Sequence, residues 1–487
     1  MNNAKPVLVT GATGYIGGRL VPQLLERGYR VRCMVRDRNR LKGRRWEGAV
    51  EIVEGDVLDK PSLVRSLEGC GIAYYLVHSM ASSAGSFREQ DHDAAENFAS
   101  AAAEAGVERI IYLGGLGNRA ERLSAHLASR HEVGDVLRAG SVPTTELRAA
   151  MIIGSGSASF EMLRSLVSRL PVMICPKWVS SRTQPIAIRS VLAYLIGCLE
   201  NPATAGQVFD IGGPDVLSYK EMMQRFAAIM GLKRRMIVVP VLTPRLSAYW
   251  ANLVTPVPAS IAFPLIEGLK ADTICEDDRI HEFVQVEPIS FEDAVRMAME
   301  KHRQHSVETR WTNASIGVQA GPRTGFDPES FPIRDVQRVS TTIATDRLFA
   351  AVARIGGNVG WYYADWLWVV RGWMDRLIGG VGLRRGRRDP EHVLIGDALD
   401  FWRVEDMIPD RRLLLHAEMK VPGDAWLEFR VEPSESGQGS QLIQTAFFRP
   451  MPFWGRAYWN LLYPLHYLIF RGMAHKIVEA AESMSTE

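Results

Sequence analysis

A glycine-rich turn near the amino terminus constrains the fold more than any other feature of the sequence. The segment Thr10–Gly17 reads TGATGYIG, follows the strand-like run Val7–Thr10 and opens a segment of helical periodicity. Gly11 would permit a tight turn, Gly14 would let the backbone approach a pyrophosphate, and Gly17 would let the helix pack closely on the sheet. Amides at a helix start attract anions. The arrangement predicts a dinucleotide-binding site, with a purely structural turn as the alternative.

The first 150 residues alternate short β-branched runs with helical segments. This alternation predicts an α/β fold, a doubly wound parallel Rossmann sheet with helices on both faces. Residues 151–300, interrupted by proline-containing loops, would add a small cap to the same domain. Pro22 conflicts with the pattern, because a proline inside a helix costs about 3 kcal/mol or kinks it. The strand candidates are Val7–Thr10, Arg30–Val35, Val50–Glu54, Ile72–Val77, Arg109–Leu113 and Thr144–Ala149.

The end of the second predicted strand bears on the choice of nucleotide. An arginine there can pair with the 2′-phosphate of NADP, and an acid can bind the ribose hydroxyl of NAD. Arg36 opens a cationic run over residues 36–45 that favours NADP, whereas Asp37 leaves NAD open. Gly55–Val57, after the third strand, is placed to contact adenine. The predicted cofactor-binding residues are Thr10, Gly11, Thr13, Gly14, Tyr15, Ile16, Gly17, Arg36, Asp56, Val57, Val77 and His78.

Composition and charge exclude several classes of protein. The 487 residues are 47% hydrophobic and 23% charged, as in a globular protein of two or three domains. With 57 basic and 55 acidic residues, the net charge of +2 does not suggest a nucleic-acid partner. The five cysteines form no CxxC pair, which indicates buried thiols and neither a metal site nor disulfides. Because no signal peptide or long apolar run is evident, we expect a soluble, cytoplasmic protein.

The composition shifts beyond residue 300. Residues 301–332 are polar and predict a linker, and nine of the 12 tryptophans follow residue 300. From residue 333 the pattern predicts a strand, two helices, four strands and a long final helix. Two alternating runs, Leu415–Val421 and Ala425–Val431, predict an antiparallel hairpin that turns at Pro422-Gly423-Asp424.

Residues 5–300 resemble the short-chain dehydrogenase/reductase superfamily, specifically its atypical, NmrA-like branch. The resemblance rests on Thr10–Gly17, Gly55-Asp56, Leu76–Met80, Gln184–Ile186 and Asp210–Pro214 with Leu217–Tyr219. It implies an NAD(P)-binding domain. Active members of the superfamily use a serine after the fifth strand and a Tyr-x-x-x-Lys motif on the next helix, where the tyrosine exchanges a proton with the substrate and the lysine holds the nicotinamide ribose.

The catalytic positions of this chain depart from that pattern. The fifth strand runs into Leu113–Gly115 without a serine, and His126 and Arg130 stand where the tyrosine and lysine would be. Their i, i+4 spacing keeps them on one helix face. Arg130 could hold the ribose and a neutral His126 could exchange a proton. Alternatively, both are relics beside a cofactor that does not turn over.

The predicted element order after residue 333 resembles the START-like helix-grip fold, in which a curved antiparallel sheet wraps the last helix around an apolar cavity. The combination with the upstream domain resembles a bacterial family whose carboxyl-terminal part has no assigned function. The resemblance implies an apolar ligand such as a lipid, isoprenoid or quinone. A core filled by aromatic rings is the alternative. The tryptophans concerned are Trp361, Trp366, Trp368, Trp402 and Trp459.

Two functional hypotheses follow. The first is an NADP(H)-dependent reductase whose apolar substrate binds the carboxyl-terminal domain, residues 333–487. The second is a non-catalytic nucleotide-binding sensor, or an assembly or lipid-binding protein. A sugar-nucleotide epimerase or dehydratase is less favoured, since that chemistry relies on the absent tyrosine. Trp361–Arg371 and Arg384–Arg388 could also rest on an anionic membrane surface. The sequence leaves the oligomeric state open.

Overall fold

A computed structural model describes most of the chain as two compact units, Met1–Gln319 and Ala320–Glu487. The following description applies to each unit by itself. No helix among the described residues is both long enough and apolar enough to cross a membrane. The described residues are 5–78, 87–117, 124–239, 255, 257, 259–304, 307, 309–313, 326–357, 359–378, 380–382, 387, 389, 391–434, 439–451 and 454–484.

A seven-stranded parallel sheet forms the centre of the first unit and confirms the predicted Rossmann-like fold. Its strand order is β11-β6-β5-β4-β1-β2-β3. The order reverses between β1 and β4, so a crevice opens at the carboxyl ends of these two strands, where open α/β sheets bind ligands. The strands are β1 (Val7–Thr10), β2 (Val31–Val35), β3 (Glu51–Glu54), β4 (Ile72–Tyr75), β5 (Arg109–Gly115), β6 (Thr144–Ala149) and β11 (Val208–Ile211).

Helices cover the sheet with their apolar stripes. In α1, Leu20, Val21 and Leu24 are fully buried, and this 3.6-residue spacing is the reason that the segment docks as a helix. Pro22 lies on the half-buried side of α1, and the helix continues past it to Glu26. The helices that surround the sheet are α1 (Gly17–Glu26), α2 (Lys60–Leu67), α3 (Phe87–Glu104), α4 (Ala125–Ala139) and α6 (Ile188–Glu200).

The remaining part of the first unit has its own apolar cluster, which includes Phe160, Phe226 and Phe291. Three two-stranded sheets accompany it, pairing β7 with β10, β8 with β13 and β9 with β12. The elements are β7 (Ile152–Ile153), α5 (Ala158–Arg169), β8 (Val172–Pro176), β9 (Arg182–Thr183), β10 (Ile186–Ala187), β12 (Leu217–Ser218), α7 (Tyr219–Ile229), β13 (Arg235–Val239), α8 (Ala259–Gly268), α9 (Ile280–Phe283) and α10 (Phe291–Arg303).

The beginning of the expected linker is part of the first unit. Residues 301–303 form the last turn of α10. Farther on, the Thr309 hydroxyl donates to the Tyr15 carbonyl at 2.9 Å, and the Trp311 amide donates to the Gly156 carbonyl at 2.8 Å. The composition of this stretch is polar, but these tertiary hydrogen bonds hold it beside the glycine turn.

A six-stranded antiparallel sheet and a long helix make up most of the second unit. The strand order is β14-β19-β18-β17-β16-β15. Met473, Ala474 and Ile477 of the last helix are fully buried in the same cluster as residues from the sheet. The elements are β14 (Ile333–Thr341), α11 (Thr345–Ala353), α12 (Asp365–Leu377), β15 (Ala398–Leu399), β16 (Trp402–Ile408), β17 (Arg412–Ala417), β18 (Gly423–Pro433), β19 (Ser440–Pro450) and α13 (Trp454–Ser483).

The predicted hairpin forms with a different turn. Leu415 pairs with Leu427 and His416 with Trp426, but β17 ends at Ala417 and β18 already begins at Gly423. Residues 418–422 therefore make the connection, and the expected turn at residues 422–424 is wrong. Tertiary partners explain the shift, because Glu418 pairs with Arg403 and the Lys420 amide donates to the Asp375 carboxylate.

Aromatic rings fill much of the core of the second unit. The Trp361 ring stacks on Phe401, with centroids 6.1 Å apart and planes 3° apart, and lies 5.1 Å from the Trp368 ring. Trp402 and Trp459 are also buried, whereas Trp366 is 67% exposed. Four of the five tryptophans singled out in the sequence thus pack inside, and the fifth lies on the surface.

Candidate cofactor and substrate site

The glycine turn lies at the crevice between β1 and β4. Gly11 has a φ of +70°, and a Cβ there would lie 2.6 Å from the Leu76 carbonyl oxygen at the end of β4. The Thr10 hydroxyl donates to the Tyr74 carbonyl at 2.9 Å and accepts from the Leu76 amide at 3.0 Å. The Thr10 side chain therefore fastens the two strands that flank the turn. Only glycine allows the turn to pass this close to β4.

The start of α1 is suited to an anion. Ile16 precedes the helix and carries no side-chain acceptor, and no acidic residue stands in the first turn. A Cβ on Gly17 would lie 2.4 Å from the Gly11 carbonyl oxygen, so Gly17 lets the helix approach the turn itself, not the sheet as expected. The positive end of the helix dipole is left for a bound group. The turn thus fits the diphosphate of a dinucleotide.

The predicted nucleotide-selecting residues have different environments. Arg36 is exposed, and the Asp37 carboxylate accepts from the Asn39 amide at 2.9 Å, capping the short helix Arg38–Leu41. Arg44, near the end of the cationic run, donates to the Thr13 carbonyl at 3.4 Å. Sequence reasoning included Arg44 only as one cation in a run. The structure brings it onto the glycine turn, because the chain folds back after the short helix.

Three of the remaining predicted cofactor residues make hydrogen bonds or packing contacts within the first unit. The Asp56 carboxylate accepts from the Leu58 amide at 3.0 Å. The Val57 carbonyl accepts from the Asn97 side chain at 3.3 Å, and Val77 packs against the apolar cluster between the sheet and α3. Ser79 and Met80 of the motif that begins at Leu76 lie outside the described residues.

Arg130 and His126 are held on α4. Arg130 Nη2 donates to the Leu113 carbonyl at 2.6 Å, and the Tyr112 hydroxyl donates to the Arg130 carbonyl at 3.0 Å. A Cβ on Gly115 would lie 3.2 Å from Arg130 Cδ. Gly115 therefore leaves room for the arginine side chain at the carboxyl end of β5.

His126 belongs to a buried chain of three ionisable side chains that sequence reasoning did not find. Its Nδ1 lies 3.0 Å from His78 Nε2, and His78 Nδ1 lies 3.0 Å from Asp91 Oδ2. The Ser129 hydroxyl donates to the same Asp91 oxygen at 3.0 Å. A signal was present in the sequence, because Asp91 falls on the apolar face of α3, at i−7 from Phe98.

The environment changes the pKa of both imidazoles. Burial lowers the pKa of His126 well below its usual value, and the nearby His78 and Arg130 lower it further. Burial also lowers the pKa of His78, but there the hydrogen bond with Asp91 opposes the effect. The Asp91 charge opposes the lowering of the pKa at both rings, and at His78 the direct hydrogen bond adds to this effect.

A largely apolar cavity of about 730 Å³ adjoins these groups. Tyr15 and Ile16 of the glycine turn line it on one side, and His126 and Arg130 line it on another. All its lining residues belong to the first unit. Three helices, α5, α7 and α8, surround this space above the cofactor crevice. The apolar walls include Met162, Leu166, Met173, Trp178, Met223 and Trp311.

Tyr15 lies between the turn and the cavity and is fixed by its neighbours. The Arg19 guanidinium carbon sits 4.9 Å from the centre of the Tyr15 ring. Arg19 is itself buried, and it donates to the Ser155 carbonyl at 2.8 Å and to the Thr309 hydroxyl at 2.9 Å. The segment after α10 thereby helps to orient the tyrosine that separates the two parts of the site.

Two family models match the chain, one in each unit. Residues 11–153 match a family described as NAD(P)H-binding. Residues 328–473 match DUF2867, described as a protein of unknown function. The first match spans the glycine turn, the β4 end and α4. Residues 11–153 of the amino-terminal unit are therefore similar to an NAD(P)H-binding family.

Individual relatives match about half of the chain. A ceramide reductase of Caulobacter vibrioides is 29% identical over 235 residues, which cover 48% of this chain and 73% of that protein. A divinyl chlorophyllide a 8-vinyl-reductase of Oryza sativa is 27% identical over 250 residues, 48% of this chain. The match spans 61% of the rice protein, less than two thirds of its length.

Solved structures show the same fold as the NAD(P)-binding domain. A triphenylmethane reductase of Citrobacter sp. superposes with a TM-score of 0.50 at 18% identity and covers 61% of this chain and 99% of its own. A nucleoside-diphosphate-sugar epimerase of Staphylococcus aureus gives the same TM-score and identity, with 60% and 99% covered. At this identity the likeness concerns the fold alone.

Proposed function

We propose that this protein is an NAD(P)H-dependent reductase of an apolar carbonyl compound that binds in the cavity of the first unit. The observation that carries the proposal is the continuity of the cavity, because Tyr15 and Ile16 of the cofactor turn and His126 of α4 line the same space. Bound NAD(P)H supplies a hydride to the carbonyl carbon. Two relatives are named as reductases, one of them of the lipid ceramide, which supports an apolar substrate.

His126 and Arg130 take the two roles of the absent tyrosine and lysine. Arg130, which hydrogen-bonds the Leu113 carbonyl at the carboxyl end of β5, orients the nicotinamide ribose. His126 faces the cavity and gives a proton to the substrate oxygen. Burial lowers the pKa of His126 well below its usual value, so the ring is neutral at neutral pH and gives the proton of its N–H group.

NADP is the proposed cofactor, with NAD as the alternative. Asp37 is engaged in capping the helix Arg38–Leu41, and Arg44 extends its positive charge onto the turn at Thr13. Arg36 is exposed at the end of β2 and is available to a 2′-phosphate. These three placements favour a nucleotide that carries the additional phosphate.

The reductase is tested with purified full-length protein, NADPH and a series of long-chain aldehydes and ketones, following NADPH absorbance. We expect turnover with at least one carbonyl, and His126→Ala should lower kcat roughly 100-fold or more while the Kd for NADPH stays unchanged. His281→Ala, at an exposed histidine of the same unit, is the control. Full activity of His126→Ala would contradict the assigned role.

A nucleotide-binding protein without turnover is the second candidate, favoured because Leu113–Gly115 contains no serine and because His126 stands at the tyrosine position. Native mass spectrometry of protein purified without added ligand distinguishes the two. A nucleotide that co-purifies and is never oxidised by any carbonyl offered would favour a sensor or assembly protein over the reductase.

We further propose that the second unit is START-like and contacts an anionic membrane. The antiparallel sheet packed on α13 supports the helix-grip arrangement. On α12 a stripe of exposed apolar side chains recurs at helical spacing, and Trp366 and Trp373 are 67% and 50% exposed. The sequence from Ser440 to Val478 contains basic residues and no acidic ones. Aromatic and basic residues together are typical of interfacial helices. The stripe consists of Trp366, Val369, Val370, Trp373, Met374 and Leu377.

Cosedimentation of the full-length protein with vesicles tests the membrane contact. We expect binding to phosphatidylglycerol vesicles, weak binding to phosphatidylcholine vesicles, and loss of binding in the double variant Trp366→Ser/Trp373→Ser. Ile408→Ser, at an apolar residue of β16 that is 44% exposed, should bind normally. Equal binding of the double variant, or a dimer in solution that this variant dissociates, would refute the membrane contact. Arg384–Gly386 and Arg388 of the predicted basic cluster lie outside the described residues.

A further inference from the structure

We propose that Asp91 and His78 form a proton relay to His126, so that the proton that His126 gives to the substrate is replaced by a proton from His78. The relay rests on the reductase function proposed above. The three side chains come from α3, the end of β4 and α4, and they make consecutive contacts of 3.0 Å. Asp91 is 3% exposed and His126 is 9% exposed. His126 alone of the three lines the cavity.

The carboxylate determines which nitrogen of each ring carries a proton. An ionised carboxylate only accepts hydrogen bonds, so His78 Nδ1 donates to Asp91 Oδ2. In neutral His78 the other nitrogen, Nε2, then accepts from His126 Nδ1. Neutral His126 consequently has its lone pair on Nε2. Asp91 thus acts at a distance, through His78, on the nitrogen of His126 that is left to exchange a proton with the substrate.

One additional proton converts this resting state into the donor state. In the donor state both nitrogens of His78 carry protons, His78 Nε2 donates to His126 Nδ1, and His126 carries its own proton on Nε2. The positive charge then resides on His78, which contacts the Asp91 carboxylate, instead of on His126, which lies one ring farther from it. This placement stabilises the charge, because opposite charges in hydrogen-bond contact compensate each other when buried.

The transfer step moves one hydride and two protons. If NAD(P)H is bound, a hydride delivered to the carbonyl carbon would form the new C–H bond and move the carbonyl π pair to the oxygen, with oxidation of the nucleotide to NAD(P)+. The His126 Nε2 proton bonds to that oxygen, while the His78 Nε2 proton moves to His126 Nδ1. The substrate gains two electrons and one proton beyond the hydride nucleus, and the relay returns to its resting state with Asp91 still ionised. A proton from solvent then restores the donor state.

The groups that face the relay support this order of events. Ser129 on α4 donates to Asp91 Oδ2 and steadies the carboxylate. Arg130, one turn beyond His126, disfavours positive charge on both rings. Tyr75 on β4 and Tyr112 on β5 also lie near Asp91, and burial raises the pKa of each phenol, so both remain neutral. Asp91 is therefore the group that favours a protonated imidazole here.

Asp91→Asn tests the relay because it removes the negative charge and leaves the shape of the side chain nearly unchanged. An amide removes the charge and can present a donor to His78 Nδ1, so the tautomers of both histidines are no longer imposed. We expect kcat to fall roughly 100-fold at neutral pH with KM and the Kd for NADPH unchanged, and the pH at which kcat is half-maximal to move to lower pH. His78→Phe should cause a similar loss. Asp93→Asn, at an exposed aspartate of the same helix, is the matched control.

A second measurement separates failure of the relay from failure of the reductase. In full-length protein labelled with [15N]histidine, the His78 signals, assigned by their loss in His78→Phe, should show the Nδ1–H tautomer in the wild type and a change in Asp91→Asn. An Nε2–H tautomer in the wild type overturns the relay even if no carbonyl is ever reduced. An active enzyme whose kcat and pH profile are the same in Asp91→Asn and Asp93→Asn also overturns it, while leaving the reductase intact.

Discussion

Replacement of Gly11 by alanine tests the cofactor turn most directly, because the chain provides a second glycine with the same backbone conformation. Gly11 and Gly106 both have a φ of +70°. A left-handed alanine costs about 1–2 kcal/mol, and this cost should be shared by both variants. A Cβ on Gly106 would have nothing within 4 Å, whereas on Gly11 it would lie 2.6 Å from the Leu76 carbonyl oxygen.

The difference between the two variants isolates the close approach of the turn to β4. Ordinary contact begins at 3.4 Å, so the Leu76 carbonyl or the turn must move by about 0.8 Å (3.4 minus 2.6 Å) in Gly11→Ala. Displacements of this kind in packed structure cost about 1–3 kcal/mol. They also shift the amides at the start of α1, so we expect the Kd for NADPH to rise about tenfold or more.

Two measurements check this prediction. Gly106→Ala should lower the melting temperature by a few degrees and leave the Kd for NADPH unchanged, whereas Gly11→Ala should lower both thermal stability and affinity. NADPH fluorescence titration and thermal unfolding report these quantities separately. If both variants bind NADPH equally well, or if they are equally destabilised, the turn does not hold the nucleotide in the way inferred here.

Three other perturbations have defined outcomes. Arg44→Ala should weaken the binding of NADPH by about 1 kcal/mol more than the binding of NADH in competitive titrations. An equal effect on both nucleotides would argue against a role of Arg44 in selecting NADP. Met223→Trp, which fills the cavity, should raise KM for apolar carbonyls without changing the Kd for NADPH; an unchanged KM would place the substrate elsewhere. Glu161→Gln should cost about 3 kcal/mol of stability at neutral pH, because buried Glu161 accepts from His302 at 2.5 Å. Burial alone would raise the pKa of Glu161, but His302 and Arg164 outweigh it and lower the pKa. The contribution is therefore full above about pH 5 and lost on acidification, so the stability gap between wild type and Glu161→Gln should narrow as the pH falls in acid titrations of unfolding.

The sequence contained enough local information to predict the central fold. Strands such as Val7–Thr10 and Thr144–Ala149 have the bounds expected from their β-branched runs. Backbone preference and side-chain periodicity act over a few residues, so they can be recognised in the sequence without the tertiary structure. The turn of the hairpin at residues 412–433 could not be predicted in this way. Its position depends on residues outside the hairpin, because Arg403 pairs with Glu418 and the Asp375 carboxylate accepts from the Lys420 amide.

The same distinction between local sequence and tertiary packing applies to the candidate site. The amino-acid sequence alone determined the glycine turn, since a positive φ and a close approach demand glycine at Gly11, and it determined that His126 and Arg130 share a helix face, since their spacing is one turn. Only the tertiary structure decided that His78 and Asp91 join His126, that Arg44 returns to the turn, and that the apolar cavity lies in the first unit. These contacts depend on how separate helices and strands pack, and no short-range pattern encodes that packing.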